Sequence, residues 1–279
     1  MALQKLNRLQ FLLRRSAGAF TLIELLVVCS IISLLLAILM PALSAVKSVA
    51  RATICKSNLR QLVIANVTYS EGNDGFYVPA ASDMWDNSGL HRWHGVRKNL
   101  NSPFDPLKGP LASYLSDGRI KNCPQKTGFA GTGEWAKNFE QGCGGYGYNM
   151  TYIGSRLWQD TSDYKRAYEN STNTSELHRP QQCLMFADTA ISIQQGVYIE
   201  YSFAEPPFTV YNSRPLTEFY MSPSLHFRHA DYANIGWADG HADQQRQTGN
   251  CGTNAYGVNS TDMKLGWFEP PDNSMFDLE

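Results

Sequence analysis

Acidic residues are absent from the first 23 positions of this 279-residue sequence, and common catalytic motifs are absent throughout. Neither a G-x-S-x-G nucleophile elbow nor a C-x-x-C pair occurs, so the local signatures of α/β-hydrolases and thioredoxin-type redox proteins are missing. Residues 71–279 contain 16 basic and 24 acidic residues, and the bases do not cluster as a nucleic-acid-binding surface requires. We therefore expect no nucleic-acid partner and no enzyme activity.

One apolar run near the amino terminus dominates the chain. It covers 19 residues from Leu22 to Met40, and Glu24 is its only carboxylate or base. As a helix it would span roughly 28 Å, close to the bilayer hydrocarbon thickness of about 30 Å. Four bases and no acid precede it, which places the amino terminus in the cytoplasm by the positive-inside rule: Lys5, Arg8, Arg14 and Arg15. The sequence predicts a single membrane crossing.

Glu24 and the small residues before it do not suit an ordinary secretory signal. A charged side chain in the bilayer costs about 2.5 to 3.5 kcal/mol on insertion scales, so Glu24 needs a partner. In a signal peptide the small residues follow the apolar segment. Here residues 16–19, Ser-Ala-Gly-Ala, precede it. Cleavage at this point would remove the basic leader and keep the membrane anchor.

This order of parts resembles the type IV prepilin and pseudopilin family, whose peptidase cuts on the cytoplasmic side and methylates the new amino terminus. The family pattern is glycine, then phenylalanine, with glutamate as the fifth mature residue. The resemblance implies cleavage between Ala19 and Phe20, which makes Glu24 the fifth mature residue. Ala19 occupies the glycine position and Gly18 lies one residue earlier, so cleavage after Gly18 is the alternative. Pro41 falls at mature position 22, where the family commonly carries a helix-kinking proline.

The family resemblance also implies partners and location. Glu24 would meet the amino-terminal ammonium of a neighbouring subunit, so a buried charge becomes a buried pair. The implied partners are other pilin or pseudopilin subunits, prepilin peptidase and the bacterial inner membrane. The carboxyl-terminal head would lie in the periplasm or on a filament. A plain signal anchor that carries a chance glutamate is the alternative.

The periodicity predicts three regions and an α+β fold. Residues 1–19 form a cytoplasmic leader, residues 20–70 a pilin-like helix with its membrane segment at 22–40, and residues 71–279 a β-rich head. Apolar residues recur at steps of three and four as far as about Tyr69, and the Gly-Asn-Asp-Gly sequence at 72–75 ends the helix. We expect the second half of the helix to pack on an antiparallel sheet.

Short strands and helices are predicted within the head. The candidate helices lie near 110–115 and 161–169. The candidate strands are Tyr146 to Ile153, Cys183 to Ala187, Gly196 to Phe203, Ala233 to Ala238, and His241 to Gln245.

A second motif lies close to the carboxyl terminus. His229 is followed after nine residues by Asp239-Gly240, a spacing similar to that of the pilin-like group named for a processing-associated His and Asp-Gly motif. Asp-Gly between alternating segments predicts a hairpin turn. His229 would donate a hydrogen bond to Asp239 or to backbone and fix the loop before the hairpin.

Metal binding by the head is the alternative interpretation of this region. Asp231, Asp239 and Asp243 offer the hard oxygen ligands that calcium prefers, and major pseudopilins of type II secretion bind calcium in an acidic carboxyl-terminal loop. Zinc could use histidines instead. The candidate zinc ligands are His226, His229, His241, and the H-x-x-H pair His91 and His94.

The cysteines allow one predicted disulfide. Cys29 lies in the membrane run, which leaves an odd number of cysteines for the head. Cys123 and Cys143 enclose a short loop and form the best candidate pair, worth about 3 kcal/mol. Buried or free thiols are the alternative.

Together these features favour a structural role. We expect a pseudopilin-like subunit of a type II secretion or type IV pilus-like filament. The alternatives are a membrane-anchored periplasmic metallohydrolase that uses the histidines and an anchored glycan-binding module. The glycan platforms would be Trp85, Trp93, Trp135 and Trp158.

Overall fold

A computed structural model describes residues 20–86, 88–126, 129, 140–159, 162–249 and 251–279. The chain separates into two compact units, one ending at Lys47 and the other running from Ser48 to Glu279. The leader, Trp135 and the start of the predicted 161–169 helix lie outside the described residues.

A single long helix, α1, spans Leu22–Glu71, and the predicted long amino-terminal helix is confirmed. It is the one described helix that is long and apolar enough to cross a membrane. Every large aliphatic side chain from Leu22 to Met40 is 45 to 79% exposed, so none of the described residues covers this part of the first unit. Pro41 lies inside the helix. These properties fit a single-pass anchor.

The helix ends at the predicted Gly-Asn-Asp-Gly sequence. The amide of Gly75 donates to the Ser70 carbonyl at 2.9 Å, which caps the last turn. Asp74 and Gly75 adopt left-handed φ values of 53° and 83°. A Cβ at Gly75 would lie 2.9 Å from the Asn173 side chain, so both φ and packing favour glycine there.

Twelve strands and one short α-helix follow α1 in the described part of the chain. Helix α2 is Tyr164–Glu169. The strands are β1 His91–Arg92, β2 Gly95–Val96, β3 Tyr146–Tyr148, β4 Leu184–Asp188, β5 Ile191–Gln194, β6 Val197–Ile199, β7 Phe208–Tyr211, β8 Arg214–Tyr220, β9 Leu225–His226, β10 Tyr232–Trp237, β11 Ala242–Arg246 and β12 Leu265–Gly266.

The largest sheet has four strands in the order β11-β10-β4-β3, all antiparallel. Strand β4 is buried along its whole length, as its apolar Leu-Met-Phe-Ala run requires of a central strand. Strand β11 forms one edge and reads Ala-Asp-Gln-Gln-Arg, with polar, partly exposed side chains typical of a protected edge. The predicted α+β class is confirmed, and no sheet closes into a barrel among the described strands.

The packed half of α1, residues 48–71, supplies one side of the core of the second unit. Its buried residues are Ala52, Cys55, Asn58, Leu59, Leu62, Val63, Ala65, Asn66 and Ser70. Gly236 of β10 lies against this face, since a Cβ there would meet Val63 at 3.1 Å and Leu59 at 3.3 Å. Asn58 and Asn66 donate to the hydroxyls of Tyr146 and Tyr148 at 2.9 and 3.0 Å. Helix and sheet are therefore joined by both apolar packing and specific hydrogen bonds.

Several head elements differ from the prediction. The expected strand at 146–153 stops at Tyr148, because Asn149 turns its side chain inward to the carbonyls of Leu184 and Phe276. The helix expected near 110–115 is a short 3₁₀ turn, Ala112–Tyr114, and another 3₁₀ turn, Pro106–Lys108, precedes it. The β7–β8 hairpin was not predicted.

Candidate functional site

The start of α1 is a reciprocal cap between Thr21 and Glu24. The backbone amide and hydroxyl of Thr21 both donate to Glu24 Oε2 at 2.9 Å, and the amide of Glu24 donates to the Thr21 hydroxyl at 3.2 Å. This is the capping-box arrangement, in which Ser or Thr precedes Glu by three residues. The T-x-x-E spacing at 21–24 is a local signal for such a cap, which was not predicted from the sequence. Glu24 thus has a partner within its own chain.

The predicted processing residues come directly before this cap in the sequence. Phe20 is 70% exposed, and Thr21 follows it. Gly18 and Ala19 lie outside the described residues, so the predicted cut between Ala19 and Phe20 stays a prediction. A cut there would place the new ammonium group of Phe20 beside the first turn of α1.

In the head, the carboxylate of Asp188 at the end of β4 organises a fully buried polar cluster. Arg228 donates to Oδ1 at 2.6 Å, and His229 lies 3.2 Å from Oδ2. The backbone amide and side-chain amide of Asn234 also donate to Oδ2, at 2.8 and 2.7 Å. Burial raises the pKa of Asp188, but the charge of Arg228 and the bond to His229 outweigh it and hold the pKa below its usual value. Asp188 is therefore a buried, ion-paired carboxylate.

The predicted bond from His229 to Asp239 does not form. The His229 ring contacts Asp188 instead, while Asp239 Oδ1 accepts from the amide of His241 and lies 2.6 Å from its ring. A tight turn explains the position of His229, because its backbone exchanges two hydrogen bonds with Tyr232 across Ala230 and Asp231, both with positive φ. The predicted β10–β11 hairpin around Asp239-Gly240 does form.

Two cysteines complete the buried cluster. The sulfur of Cys123 lies 2.7 Å from the sulfur of Cys55 on α1, 3.6 Å from His229 Nε2 and 3.4 Å from Arg228 Nε. The contact with Cys55 lowers the pKa of the Cys123 thiol below its usual value, and the charge of Arg228 and the contact with His229 lower it further, against the opposing effect of burial. We define the thiol–carboxylate cluster as Cys55, Cys123, Asp188, Arg228 and His229.

The predicted disulfide between Cys123 and Cys143 does not form in the structure. Cys55, Cys123 and Cys143 are all free thiols there, and the sulfur that lies beside Cys123 is that of Cys55. Cys143 is buried, and burial raises the pKa of its thiol. The short separation of the two residues in sequence suggested the pair, whereas the fold brings Cys123 to Cys55, a residue 68 positions away.

The predicted calcium and zinc ligands do not converge among the residues that the structure describes. Asp231 pairs with Lys264 at 2.7 Å, and Asp243 accepts from Trp237 and Gln245. The predicted zinc histidines take separate partners: His226 lies beside Arg228, His94 beside Glu140, and His241 beside Asp239. Among the described residues, the side chains that do bring possible metal-ligand atoms together are those of Cys55, Cys123, Asp188 and His229. These four atoms lie within 4.8 Å of one another.

Other buried acids lie outside this cluster. Glu140 receives the guanidinium of Arg92 at 2.9 Å and the hydroxyl of Ser202 at 2.6 Å. Glu205 accepts from the hydroxyl of Tyr201 at 2.7 Å, while its other carboxylate oxygen is buried without a hydrogen-bond partner among the described residues. Burial raises the pKa of Glu205 to about 7.

The tryptophans considered as glycan platforms differ in exposure. Trp93 is fully buried and donates to the Ser202 carbonyl at 2.7 Å. Trp158 is half-buried and donates to Thr172 at 3.2 Å. Trp85 is 53% exposed and stacks on Tyr164 with ring centroids 5.0 Å apart. Trp85 alone among the described three presents a ring to solvent, so the structure does not assemble a multi-tryptophan platform from them.

Comparison with known proteins adds one match. Residues 14–40 match the family model described as the prokaryotic N-terminal methylation motif. The match covers the end of the leader, the predicted cut, Glu24 and the apolar part of α1. No curated protein and no solved structure matches the chain.

Proposed function

We propose a specific role for this chain, which the methylation motif and the long apolar helix mark as a type IV pilin-like protein processed by prepilin peptidase. It is a pseudopilin-like structural subunit of a type II secretion or type IV pilus-like filament. The first part of α1 anchors it in the inner membrane and then polymerises. The head lies in the periplasm or on the filament surface. Its work is mechanical and recognitional, and it is not an enzyme.

The observation that carries this proposal is the exposed, almost uncharged surface around Glu24. The aliphatic side chains from Leu22 to Met40 are at least 45% exposed, so they need lipid or other helices around them. A helix surrounded on all sides by apolar side chains suits a membrane before assembly and a bundle of like helices after it. Glu24 is the single carboxylate in that segment.

Processing is tested by mass spectrometry of the mature amino terminus. Chains are isolated from membranes of cells with and without prepilin peptidase. We expect a peptide that begins at N-methylated Phe20 only when the peptidase is present. A peptide that begins at Ala19 would move the cut by one residue and leave Glu24 sixth. A chain that keeps residues 1–19 in both strains would contradict the proposal.

Assembly is tested by separating the charge of Glu24 from its capping role. Gln is accepted at the third position of a capping box, so Glu24→Gln keeps the cap and removes the charge. Thr21→Ala removes the cap and keeps the charge of Glu24. Removing one member of a buried ion pair costs about 3 to 5 kcal/mol, enough to block incorporation. We expect Glu24→Gln to insert in the membrane but fail to co-purify with wild-type subunits, and Thr21→Ala to co-assemble. Normal assembly of Glu24→Gln would reduce Glu24 to a helix cap.

A further inference from the structure

The sulfurs of Cys55 and Cys123 meet in the core of the second compact unit. Cys55 is on the packed half of α1, and Cys123 precedes Pro124 in the segment between the second 3₁₀ turn and β3. Their sulfurs lie 2.7 Å apart, and both side chains are at least 98% buried. The amide of Cys123 donates to the Gly144 carbonyl at 2.9 Å, which holds the segment beside the sheet. Two buried thiols are thus held in contact by separate elements.

A shared metal ion explains this contact poorly. Two thiolates on one tetrahedral zinc lie about 3.8 Å apart, given Zn–S bonds of about 2.3 Å. The observed separation is an ångström shorter. Both oxygens of Asp188 already accept hydrogen bonds, and the Arg228 guanidinium is 3.4 Å from Cys123. A divalent cation would have to share the site with that positive charge, whereas an uncharged sulfur–sulfur bridge would not.

We propose that Cys55 and Cys123 form a disulfide in the exported protein, which ties the packed half of α1 covalently to the head. This inference rests on the proposed export of the head, because disulfides persist in oxidising compartments. The bond would close a loop between residues 68 positions apart. Loops of this length gain stability chiefly because the crosslink restricts the unfolded chain.

The chemistry is a two-step thiol–disulfide exchange. The thiolate of Cys123 attacks a sulfur of a donor disulfide, forms a mixed disulfide and releases one donor thiolate. Cys55 then loses its proton and attacks the Cys123 sulfur, which releases the second donor thiolate. The pair loses two protons and two electrons, and the donor disulfide becomes a dithiol. The donor class is an exported dithiol–disulfide oxidoreductase, or a small-molecule disulfide such as oxidised glutathione in vitro.

The burial of both sulfurs determines at which stage of folding this exchange can occur. With both sulfurs covered in the folded head, a donor has access only before the head closes over α1. The bond should therefore form during folding after export and resist reduction afterwards. We expect the native full-length chain to keep the bond in dithiothreitol at concentrations that reduce it within minutes in urea.

Peptide mapping of the full-length wild-type chain tests the bond directly. Membranes are quenched in acid, and the denatured protein is alkylated with N-ethylmaleimide and digested without reductant. We expect one linked species that contains Cys55 and Cys123, with Cys143 and Cys183 alkylated. Separate alkylation of both Cys55 and Cys123, or their protection by a stoichiometric metal ion in elemental analysis, would overturn the proposal.

Three variants measure what the bond contributes. Cys55→Ser, Cys123→Ser and the double variant each remove the same crosslink, so their losses should be equal and not additive. We expect a fall in Tm of roughly 5 to 15 °C in each. Cys183→Ser is the matched control, a buried thiol outside the pair. Reduction in urea before refolding should bring wild type to the double variant's Tm and leave that variant unchanged. Additive single losses would mean that the two sulfurs act only through packing.

Protease accessibility of the head in spheroplasts separates this inference from the proposed function. A protected head with both thiols reduced would contradict the export that underlies both. An accessible head with two free thiols would contradict the disulfide alone.

Discussion

At the scale of single residues, Asp188 and not Asp239 is the partner of the motif histidine. Asp188 is fully buried and holds Arg228, His229 and Asn234. Asp239 is at the hairpin turn, where a third of its side chain is exposed and it bonds to His241. The nine-residue spacing of the motif therefore reflects two separate structural devices, a turn that positions His229 and a hairpin that closes at Asp239-Gly240.

Double-mutant cycles should distinguish the two aspartates. Asp188→Ala leaves Arg228 buried without its counterion and should cost about 3 to 5 kcal/mol in free energy of unfolding. Asp239→Ala should cost at most about 1 kcal/mol. In urea unfolding, His229→Ala should couple with Asp188→Ala by about 1 kcal/mol or more, and with Asp239→Ala by under about 0.5 kcal/mol. Stronger coupling of His229 to Asp239 than to Asp188 would support the pairing predicted from the sequence.

Glu205 should make the stability of the head depend on pH. Burial raises its pKa from 4.5 to about 7, with the phenols of Tyr201 and Tyr168 as neighbours. The folded state then binds the proton more tightly than the unfolded state. The contribution of Glu205 is fully present below about pH 4.5 and is lost as pH rises through about 7. At roughly 1.4 kcal/mol per pKa unit, the loss is on the order of 3 kcal/mol.

Thermal unfolding of Glu205→Gln between pH 4.5 and 8 checks this expectation. The amide still accepts from Tyr201 and carries no charge, so the variant should lose much of the fall in Tm with rising pH. The exposed Glu218→Gln on β8 is the control and should follow wild type. A variant whose profile is parallel to wild type would show that Glu205 is ionised in the folded protein throughout.

At the scale of elements, two asparagines fix the packed half of α1 to the sheet. Asn66 donates to the Tyr148 hydroxyl at 3.0 Å and accepts from the amide of Val78 at 2.9 Å. Asn66→Ala leaves two buried polar groups unpaired and should cost about 2 to 4 kcal/mol in unfolding free energy. The control Gln61→Ala, on the exposed face of the same helix, should stay within about 0.5 kcal/mol. Urea denaturation of the full-length variants in detergent measures both, and equal effects would contradict a specific role for Asn66.

Elements with a strong local pattern were predicted, and those that depend on distant partners were not. Helix α1 combines an apolar run, a three-to-four periodicity and a Gly-Asn-Asp-Gly stop. The β10–β11 hairpin combines alternation with Asp-Gly. Pro206, Pro207 and Pro215 break the β7–β8 region in the sequence, and its side chains are mostly exposed, so periodicity was weak.

The thiol–carboxylate cluster could be predicted only in part. His229 was identified from its motif, but Asp188 and Cys55 come from another strand and from α1. A single sequence gives no measure of contacts between residues tens of positions apart. The one local clue was an aspartate at the end of the apolar strand Leu-Met-Phe-Ala, a position where a charge needs a buried partner.

At the scale of the whole molecule, a chain cut before Ser48 should fold by itself, because residues 48–279 form a compact unit with its own core. We expect the 48–279 fragment to be soluble and to unfold in one cooperative transition by circular dichroism. A fragment that starts at Gly72 is the control. It loses the nine buried residues of the packed half and should aggregate. Aggregation of both fragments would mean that the head needs residues before Ser48.

The shared core of helix and head limits how such subunits can be recombined. A hybrid that exchanges heads at the Gly-Asn-Asp-Gly turn would mate one protein's helix surface with another protein's sheet. Gly236 would then face side chains other than Leu59 and Val63, and the tyrosines of β3 would lose Asn58 and Asn66. A hybrid joined just before Ser48 would instead exchange residues 48–279 as one unit and keep the helix–sheet core unchanged. The boundary at which this protein can be divided therefore lies inside the continuous helix α1, between Lys47 and Ser48, and not at a loop.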